Sequence, residues 1–396
     1  GNPAALLLVE FAEEDMAENE RRLRQLHEMM GDLGFGWDKG AAWRGGVVDA
    51  IDPGMQGRIA EWRKSGLNIM MSEKSEAKPV SFLEDCAVEL KDLAEYTDKL
   101  TAIFDRNGVK GTWYAHASVG CLHVRPVLNM KQAGGAETMR AIAEEAFELV
   151  RSFGGSHSGE HGDGIVRSEF NDRMFGPVLP DLFRQVKAMF DPQGMFNPGK
   201  ITDAPKMDDR ELFRFAPGYE AEDFDSVLDW AAWPGAAGGF QGAVEMCNNN
   251  GACRKLTGGV MCPSYRATRN ERDAVRGRAN SLRLAMSGQL GPDAMASDAM
   301  AETMKLCVSC KACKRECPVG VDMARMKVEV TAARAAKHGI PLHDRLIGNL
   351  PAYAPLASGL SGLSNLVQSV WRHVPGLASL VSRLTGFTTK RSLPKW

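Results

Sequence analysis

The segment CVSCKACKRECP, residues 307–318, brings four cysteines close together in the chain. Three of them follow Cys-x2-Cys-x2-Cys spacing, which turns three sulfurs towards one point, and the fourth precedes a proline. In two-cluster ferredoxins such a fourth cysteine ligates the other cluster. That arrangement requires a second Cys-Pro elsewhere, and Cys262-Pro263 supplies it. The spacing therefore predicts two iron–sulfur clusters that exchange one ligand each.

Two sets of ligands follow from this pattern. Cluster one is predicted to use Cys307, Cys310, Cys313 and Cys262. Cluster two is predicted to use Cys247, Cys253 and Cys317. Asn250 stands where cluster two should have its middle cysteine. Three thiolates suit a 3Fe-4S cluster, whereas a 4Fe-4S cluster needs a water, the Asn or another ligand at the open corner, so both types stay open.

The cysteines could instead form disulfides or bind zinc. Seven of the nine lie between Cys247 and Cys317, whereas the disulfides of a secreted chain would be spread along it. Structural zinc sites usually combine two separated Cys-x2-Cys pairs, which differs from the spacing here. The pattern favours clusters over both alternatives.

Length and composition indicate several domains in a globular chain. The 396 residues exceed one ordinary core, and a net charge of -2 argues against a nucleic-acid partner, although the run RATRNERDAVRGRANSLR is basic. We interpret that run as a solvated helix face that offsets cluster charge. The predicted divisions are an α+β domain over 1–205, a connector over 206–239, a mostly helical cluster domain over 240–335 and an apolar helical tail over 336–396.

Hydrophobic periodicity predicts the elements of the first domain. ALLLVEF and SGLNIMMS indicate strands, and GTWYAHASVGCLHVRPVL indicates two strands around a tight SVG turn. Helices are predicted over DMAENERRLRQLHEMMGDLG, LKDLAEYTDKLTAIFDRNGV and AETMRAIAEEAFELVRSFGG. Helices packed on a sheet define the α+β class.

Residues 346–371 carry no charge and are long enough to cross a bilayer. Prolines, asparagines and a glutamine within them favour short helices instead. No secretory signal opens the chain, so we expect a cytoplasmic location, with peripheral docking at the inner face of a membrane left open.

The first domain also contains a group of potential metal ligands. YAHASVGCLHV places His116 and His123 on either side of the predicted turn, and SGEHGDG adds Glu160 and His161 in a glycine-rich loop. Two histidines and a carboxylate are the donors of a catalytic divalent-metal site, and an adjacent histidine can act as general base. Histidines that are simply hydrogen-bonded within the strands are the alternative.

Three motifs together, HASVGCLHV, GEHGDGIVRSEF and FDPQGMFNPGKI, resemble the C-terminal half of FAD-linked 2-hydroxy-acid dehydrogenases. That group includes D-lactate and D-2-hydroxyglutarate dehydrogenases and the glycolate oxidase flavin subunit. The resemblance implies a ferredoxin-like cap domain, followed here by the cluster domain. It implies that His116, His123 and Glu160 hold zinc or manganese, that His161 is the base, and that Arg63 and Lys78 bind substrate.

The function implied by the resemblance is oxidation of a D-2-hydroxy acid by FAD, with electrons passing through the clusters to a quinone or another redox carrier. The chain shows no strand-to-helix GxGxxG unit and begins without methionine, so we expect FAD to be bound mostly by an upstream domain. The alternatives are an electron-transfer subunit without substrate chemistry and a metal-dependent hydrolase. The hydrolase would give the clusters no purpose.

Overall fold

The computed structural model describes residues 4–37, 43–374, 376–388 and 395–396. The chain separates into two compact units, residues 1–67 and 68–396. The predicted domain boundaries at residues 205, 239 and 335 are not marked by this division, and they stay predictions.

The first unit contains two helices and a short parallel strand pair. Their bounds are α1 Met16–Asp32, β1 Phe35–Gly36, β2 Trp43–Arg44 and α2 Pro53–Met71, the last of which continues into the second unit. Asp15 caps α1 by accepting a hydrogen bond from the backbone N–H of Ala17.

Two predicted strands are absent from the described residues. ALLLVEF has no regular structure, and Leu6 in it is 73% exposed. An apolar run becomes a strand only where another backbone offers it hydrogen bonds, and the described chain provides none there. SGLNIMMS is the last part of α2, because a short apolar run suits a helix as well as a strand.

A four-stranded sheet organises the start of the second unit. Its strands are β3 Lys78–Pro79, β4 Cys86–Ala87, β5 Gly111–His116 and β6 Cys121–Leu128, and β6 is antiparallel to the other three. Ala87 also bridges to Ser156. Helices α3 Leu93–Arg106 and α4 Ala133–Ser152 alternate with these strands. The order along the chain is β3-β4-α3-β5-β6-α4, followed by Ser156 of the bridge, and this set of helices on a sheet confirms the predicted α+β class.

The helices pack on the sheet through a dry core. Leu100 and Phe104 of α3 meet Ile142 and Phe147 of α4, while Val124 contributes from β6, and all are at most 3% exposed. The predicted turn and both flanking strands are confirmed, as are all three predicted helices. Helices α5 Asn171–Phe175 and α6 Val178–Phe190 follow, and residues 191–205 are irregular, as FDPQGMFNPGKITDAP predicts.

The cysteine region is helical and has a core of its own. Its helices are α7 Phe240–Glu245, α8 Pro263–Thr268, α9 Val275–Met286, α10 Asp298–Lys305, α11 Ala312–Glu316 and α12 Met323–His338. Trp230, Phe240, Leu282 and Met304 are buried in this core together with several of the cysteines. Glu329 of α12 joins the preceding connector to it, since its carboxylate accepts a 2.8 Å hydrogen bond from Trp230 Nε1.

The tail forms short helices, as its composition predicts. They are α13 Leu342–Gly348, α14 Leu350–Gly359, α15 Ser361–His373 and α16 Leu377–Thr385. Among the described residues, no helix combines the length and the apolar character needed to cross a bilayer.

Candidate metal centre and iron–sulfur ligands

Strand register brings the two predicted histidine ligands together. His116 pairs with Cys121 and Tyr114 pairs with His123, so both imidazoles lie on one face of the β5–β6 hairpin. Their ring centroids are 4.9 Å apart. The turn that joins the strands requires glycine, because Gly120 has a φ of 69° and a Cβ there would come within 1.9 Å of the Val88 carbonyl oxygen.

The loop that carries Glu160 and His161 is fixed by Asp85, which sequence reasoning missed. The Asp85 carboxylate accepts hydrogen bonds from the backbone N–H of Glu160 at 2.9 Å and of His161 at 2.8 Å, and from Ser158 Oγ at 3.2 Å. Asp85 is fully buried, with a φ of 86°. These bonds engage both of its oxygens, so Asp85 acts as a positioning residue.

Glu160 joins the donors of both structural elements. Its Oε1 lies 3.1 Å from His123 Nε2, 3.4 Å from His116 Nε2 and 3.7 Å from His161 Nε2. One donor atom from each of Asp85, His123, Glu160 and His161 falls within 4.8 Å of the others. His123 Nδ1 is buried without a hydrogen-bond partner among the described residues. This concentration of donors fits a divalent metal, since imidazole nitrogens and a carboxylate are its usual ligands.

Glu84 supports the same group from behind His161. Its Oε1 is 3.7 Å from His161 Nδ1, and its carboxylate makes a buried two-pronged ion pair with Arg125. Burial alone would raise the pKa of Glu84, but hydrogen bonds from Arg125 and Ser81 lower it overall. Glu84 therefore keeps a negative charge beside the imidazole. The signal for both acids was present in FLEDCAV, where a Glu-Asp pair interrupts an apolar run.

The electrostatics favour a neutral imidazole at the buried position. Burial lowers the pKa of His123, and the neighbouring His161 lowers it further. A neutral imidazole has the free lone pair that a metal ligand needs. His116 is about one-third exposed and His161 about two-fifths, so the site opens to solvent on their side.

The two predicted substrate-binding residues lie on elements other than those that carry the histidine group. Arg63 lies on α2 within the first unit and is exposed. Lys78 lies on β3, where its Nζ contacts the Glu73 carbonyl and lies 3.6 Å from Met246 Sδ. Burial lowers the pKa of Lys78. The roles of both residues stay predictions.

The four cysteines predicted for cluster one line a single cavity. Cys262 is the residue before α8, Cys307 follows α10, and Cys313 lies in α11. The loop between Cys307 and Cys313 turns sharply at Ser309 and Lys311, whose φ values are 53° and 59°. Four cysteine sulfurs around one cavity are the donor set of an iron–sulfur cube, so these residues fit the cluster.

Glu316 holds the Cys-Pro segment against the Cys-x2-Cys-x2-Cys segment. Its carboxylate accepts hydrogen bonds from the backbone N–H groups of Val260 and Met261, each at 2.9 Å. These two bonds place the neighbouring Cys262 beside α11, which carries Cys313. Burial raises the pKa of the Cys313 thiol to about 11, and Cys307 adds to the rise.

The three cysteines predicted for cluster two also interact. Burial raises the pKa of the Cys247 thiol, and the neighbouring Cys317 raises it further. Burial also raises the pKa of the Cys253 thiol, and Cys247 adds to that rise. Asn250 is exposed, and its side chain is hydrogen-bonded within its own loop to Asn248 and to the Ala252 N–H. The ligand assignments of both clusters stay predictions.

Comparison with known families finds a match for each of the two regions that contain these potential ligands. Residues 2–201 match the family FAD linked oxidases, C-terminal domain, and residues 243–321 match a 4Fe-4S dicluster domain. The first match covers half of the chain, so the chain belongs to the FAD-linked oxidase family. This confirms the resemblance seen in the sequence motifs.

Several curated relatives extend over both regions. A D-2-hydroxyglutarate dehydrogenase of Pantoea ananatis is 29% identical over 91% of this chain and 38% of its own length. One of Escherichia coli is 30% identical over 89% of this chain and 37% of its own length. A D-lactate dehydrogenase of Archaeoglobus fulgidus is 30% identical over 33% of this chain and 29% of its own length. The chain thus spans little more than a third of the length of the two D-2-hydroxyglutarate dehydrogenases and less than a third of that of the D-lactate dehydrogenase.

Proposed function

We propose that this chain supplies the substrate cap and the electron-transfer domain of an FAD-dependent dehydrogenase. The reaction is oxidation of a D-2-hydroxy acid, either D-2-hydroxyglutarate or D-lactate, to the 2-oxo acid. The observation that carries the proposal is the meeting of three histidines and Glu160 in a chain that also contains two cysteine groups. The names of the relatives support the class of substrate.

His116, His123 and Glu160 would hold the divalent metal, zinc or manganese. When bound there, such an ion polarises a hydroxyl group and lowers its pKa. Asp85 keeps Glu160 in reach of both histidines through the backbone hydrogen bonds of the loop. The residues of this chain therefore orient the substrate hydroxyl at the edge of the sheet.

His161 would accept the hydroxyl proton. Its Nδ1 lies on the side of Glu84 and its Nε2 on the side of Glu160. We assign the accepted proton to Nε2, because Glu160 would be engaged by the metal, whereas the Glu84 carboxylate would favour the tautomer that carries its hydrogen on Nδ1. FAD, bound mostly outside this chain, supplies the acceptor for the C2 hydride.

Arg63 and Lys78 remain the proposed partners of the substrate carboxylates. A guanidinium can bind a carboxylate with two parallel hydrogen bonds, which gives Arg63 the better geometry for the 2-hydroxy-acid carboxylate. Lys78 is half-buried, which suits a cation that must meet an anion away from water.

Electrons would leave through the two clusters one at a time, towards a quinone or another redox carrier. Reduced FAD holds two electrons, whereas each cluster accepts one at a time, which gives a reason for placing both domains in one chain. A cytoplasmic location with docking at the inner face of a membrane would suit a quinone acceptor.

The proton-transfer role is tested by His161→Ala in the flavin-loaded full-length protein. Rapid mixing with D-2-hydroxyglutarate or D-lactate should show flavin reduction slowed by about 100-fold or more, the range of general-base catalysis, with unchanged iron and sulfide. His338→Ala, an exposed histidine at the end of α12, is the matched control and should react normally. Undiminished flavin reduction in His161→Ala would disprove this role.

The metal site is tested by zinc and manganese analysis of the same variants. His116→Ala and His123→Ala should lose the metal, whereas His161→Ala should retain it if His161 is the base. Loss of metal in His161→Ala would make it a ligand instead. Iron and sulfide without any second metal in the unmodified protein would favour an electron-transfer subunit without substrate chemistry.

A further inference from the structure

Arg278 is a fully buried arginine in the cysteine region. Its Nε donates to the Thr303 carbonyl at 2.9 Å, and its Nη1 donates to the Asp273 carbonyl at 2.7 Å. Both terminal nitrogens reach Ser264 Oγ, at 3.1 and 3.2 Å. Burial of a guanidinium costs free energy, which these hydrogen bonds and a nearby opposite charge must offset.

The guanidinium lies beside the proposed cluster one. Arg278 lines the cavity that also contains the four cysteines, and its Nη1 is 3.8 Å from Cys262 Sγ. Ser264 Oγ lies 3.3 Å from the same sulfur. Arg278 is therefore a cation that lies directly against the sulfur of a proposed cluster ligand.

A group of opposite charge, the Asp273 carboxylate, lies next to Arg278. Asp273 Oδ1 is 3.7 Å from Arg278 Nη2, the Asp273 side chain is 2% exposed, and this oxygen has no hydrogen-bond partner among the described residues. Arg272 Nε approaches the same carboxylate at 3.9 Å but is 46% exposed. The carboxylate offsets part of the Arg278 charge.

We propose that the positive charge of Arg278 raises the reduction potential of cluster one. In the step concerned, one electron enters the cluster from a reduced donor and no bond is made or broken. Added negative charge is stabilised by a nearby buried cation and by an N–H group directed at a ligand sulfur, and both effects are strong where water is excluded. The inference rests on the proposed cysteine ligands of cluster one.

The interpretation of the basic run RATRNERDAVRGRANSLR as a solvated helix face does not hold for Arg278. Most of its cations are at least partly exposed, as a solvated helix face requires, but Arg278 is not. A buried arginine could serve only to join α8, α9 and α10 through its hydrogen bonds. The test must therefore measure a property that packing alone would leave unchanged.

The test is a potentiometric titration with dithionite, followed by electron paramagnetic resonance, on anaerobically purified full-length protein. Arg278→Gln should make reduction of cluster one tenfold less favourable, which lowers its midpoint potential by about 59 mV for one electron. Arg278→Lys keeps the charge and should retain more than half of the difference. Arg272→Gln removes an exposed charge from the same run and should leave the potential of cluster one unchanged. The cluster two signal should stay the same in every variant.

An unchanged potential in Arg278→Gln with full iron and sulfide would overturn the proposal. So would an equal decrease in Arg278→Lys and Arg278→Gln, because the hydrogen-bond fork and not the charge would then be responsible. If Arg278→Gln fails to assemble, Asp273→Asn provides the opposite test: removal of the carboxylate should raise the potential, and no rise would refute the charge effect. Unmodified protein without sulfide would instead disprove the cluster assignment itself.

Discussion

The histidine group and the cysteine groups are assembled in different ways. His116 and His123 lie on paired strands, and Glu160 comes from a loop beyond α4. Asp85, the residue before β4, accepts hydrogen bonds from that loop. Three of the cluster one cysteines lie within residues 307–313, and the fourth is held beside them by hydrogen bonds to Glu316. The metal centre therefore depends on a preformed sheet, whereas the cysteine loop depends more on what it binds.

This difference teaches where each site obtains its stability. The sheet has a core of large apolar side chains and a Glu84–Arg125 pair, neither of which includes a proposed metal ligand. In the cysteine region, four cysteines belong to the core and two more pack against it, and the helices around them are short. Ligand binding contributes directly to folding where the ligands are part of the core. Four experiments break or sharpen the contrast.

The largest effect is expected from removing the clusters. Chelation and oxidation should increase amide hydrogen exchange in residues 247–262 and 307–317 by about tenfold or more, since opening there loses the ligand contribution. Peptides from β5 and β6 should change by less than about twofold. Equal loss of protection in both regions, measured by mass spectrometry, would show that the sheet depends on the clusters too.

Cys313→Ser should remove cluster one alone. A buried serine is a poor substitute for a thiolate, so iron and acid-labile sulfide should fall by roughly half on chemical analysis. Cys86→Ala is the matched control, because Cys86 is equally buried but lies in the sheet core. Retention of all the iron in Cys313→Ser would contradict the ligand assignment.

Arg125→Met should destabilise the sheet without affecting iron. The change leaves Glu84, whose side chain is only 12% exposed, without its arginine, which costs up to about 3–5 kcal/mol of the free energy of unfolding in denaturant titrations. Arg151→Met breaks an exposed ion pair with Glu148 and should cost less than about 1 kcal/mol. Similar costs for the two variants would mean that the Glu84–Arg125 pair contributes no more than a surface pair.

Asp85→Ala should change the stability less than Arg125→Met does, by about 1–3 kcal/mol for the backbone donors left unsatisfied. It should also weaken zinc or manganese binding, because Glu160 and His161 lose their anchor. Asp85→Asn should be milder, since Asn tolerates a positive φ and keeps one accepting oxygen. Metal affinity that is unchanged in Asp85→Ala, measured by calorimetry, would show that the loop holds its shape without this carboxylate.

Patterns with short sequence separation were sufficient to predict much of this protein. The β5–β6 hairpin, three long helices and the grouping of the cysteines follow from periodicity, turn residues and spacing. Short apolar runs were less informative: SGLNIMMS is helical and ALLLVEF has no regular structure. Such a run does not contain the partner that decides between strand, helix and coil.

The chain alone indicated which residues could serve as ligands: the spacing of the cysteines predicted the cluster ligands, and the family motifs predicted the histidine and glutamate ligands of the metal. Tertiary structure decided which other residues hold them in place. Asp85, Glu84 and Arg278 are charged residues that a sequence assigns to the surface by default. Only the folded chain buries them, since their cost in water-free surroundings is met by backbone amides, Arg125 and Asp273 contributed from other elements.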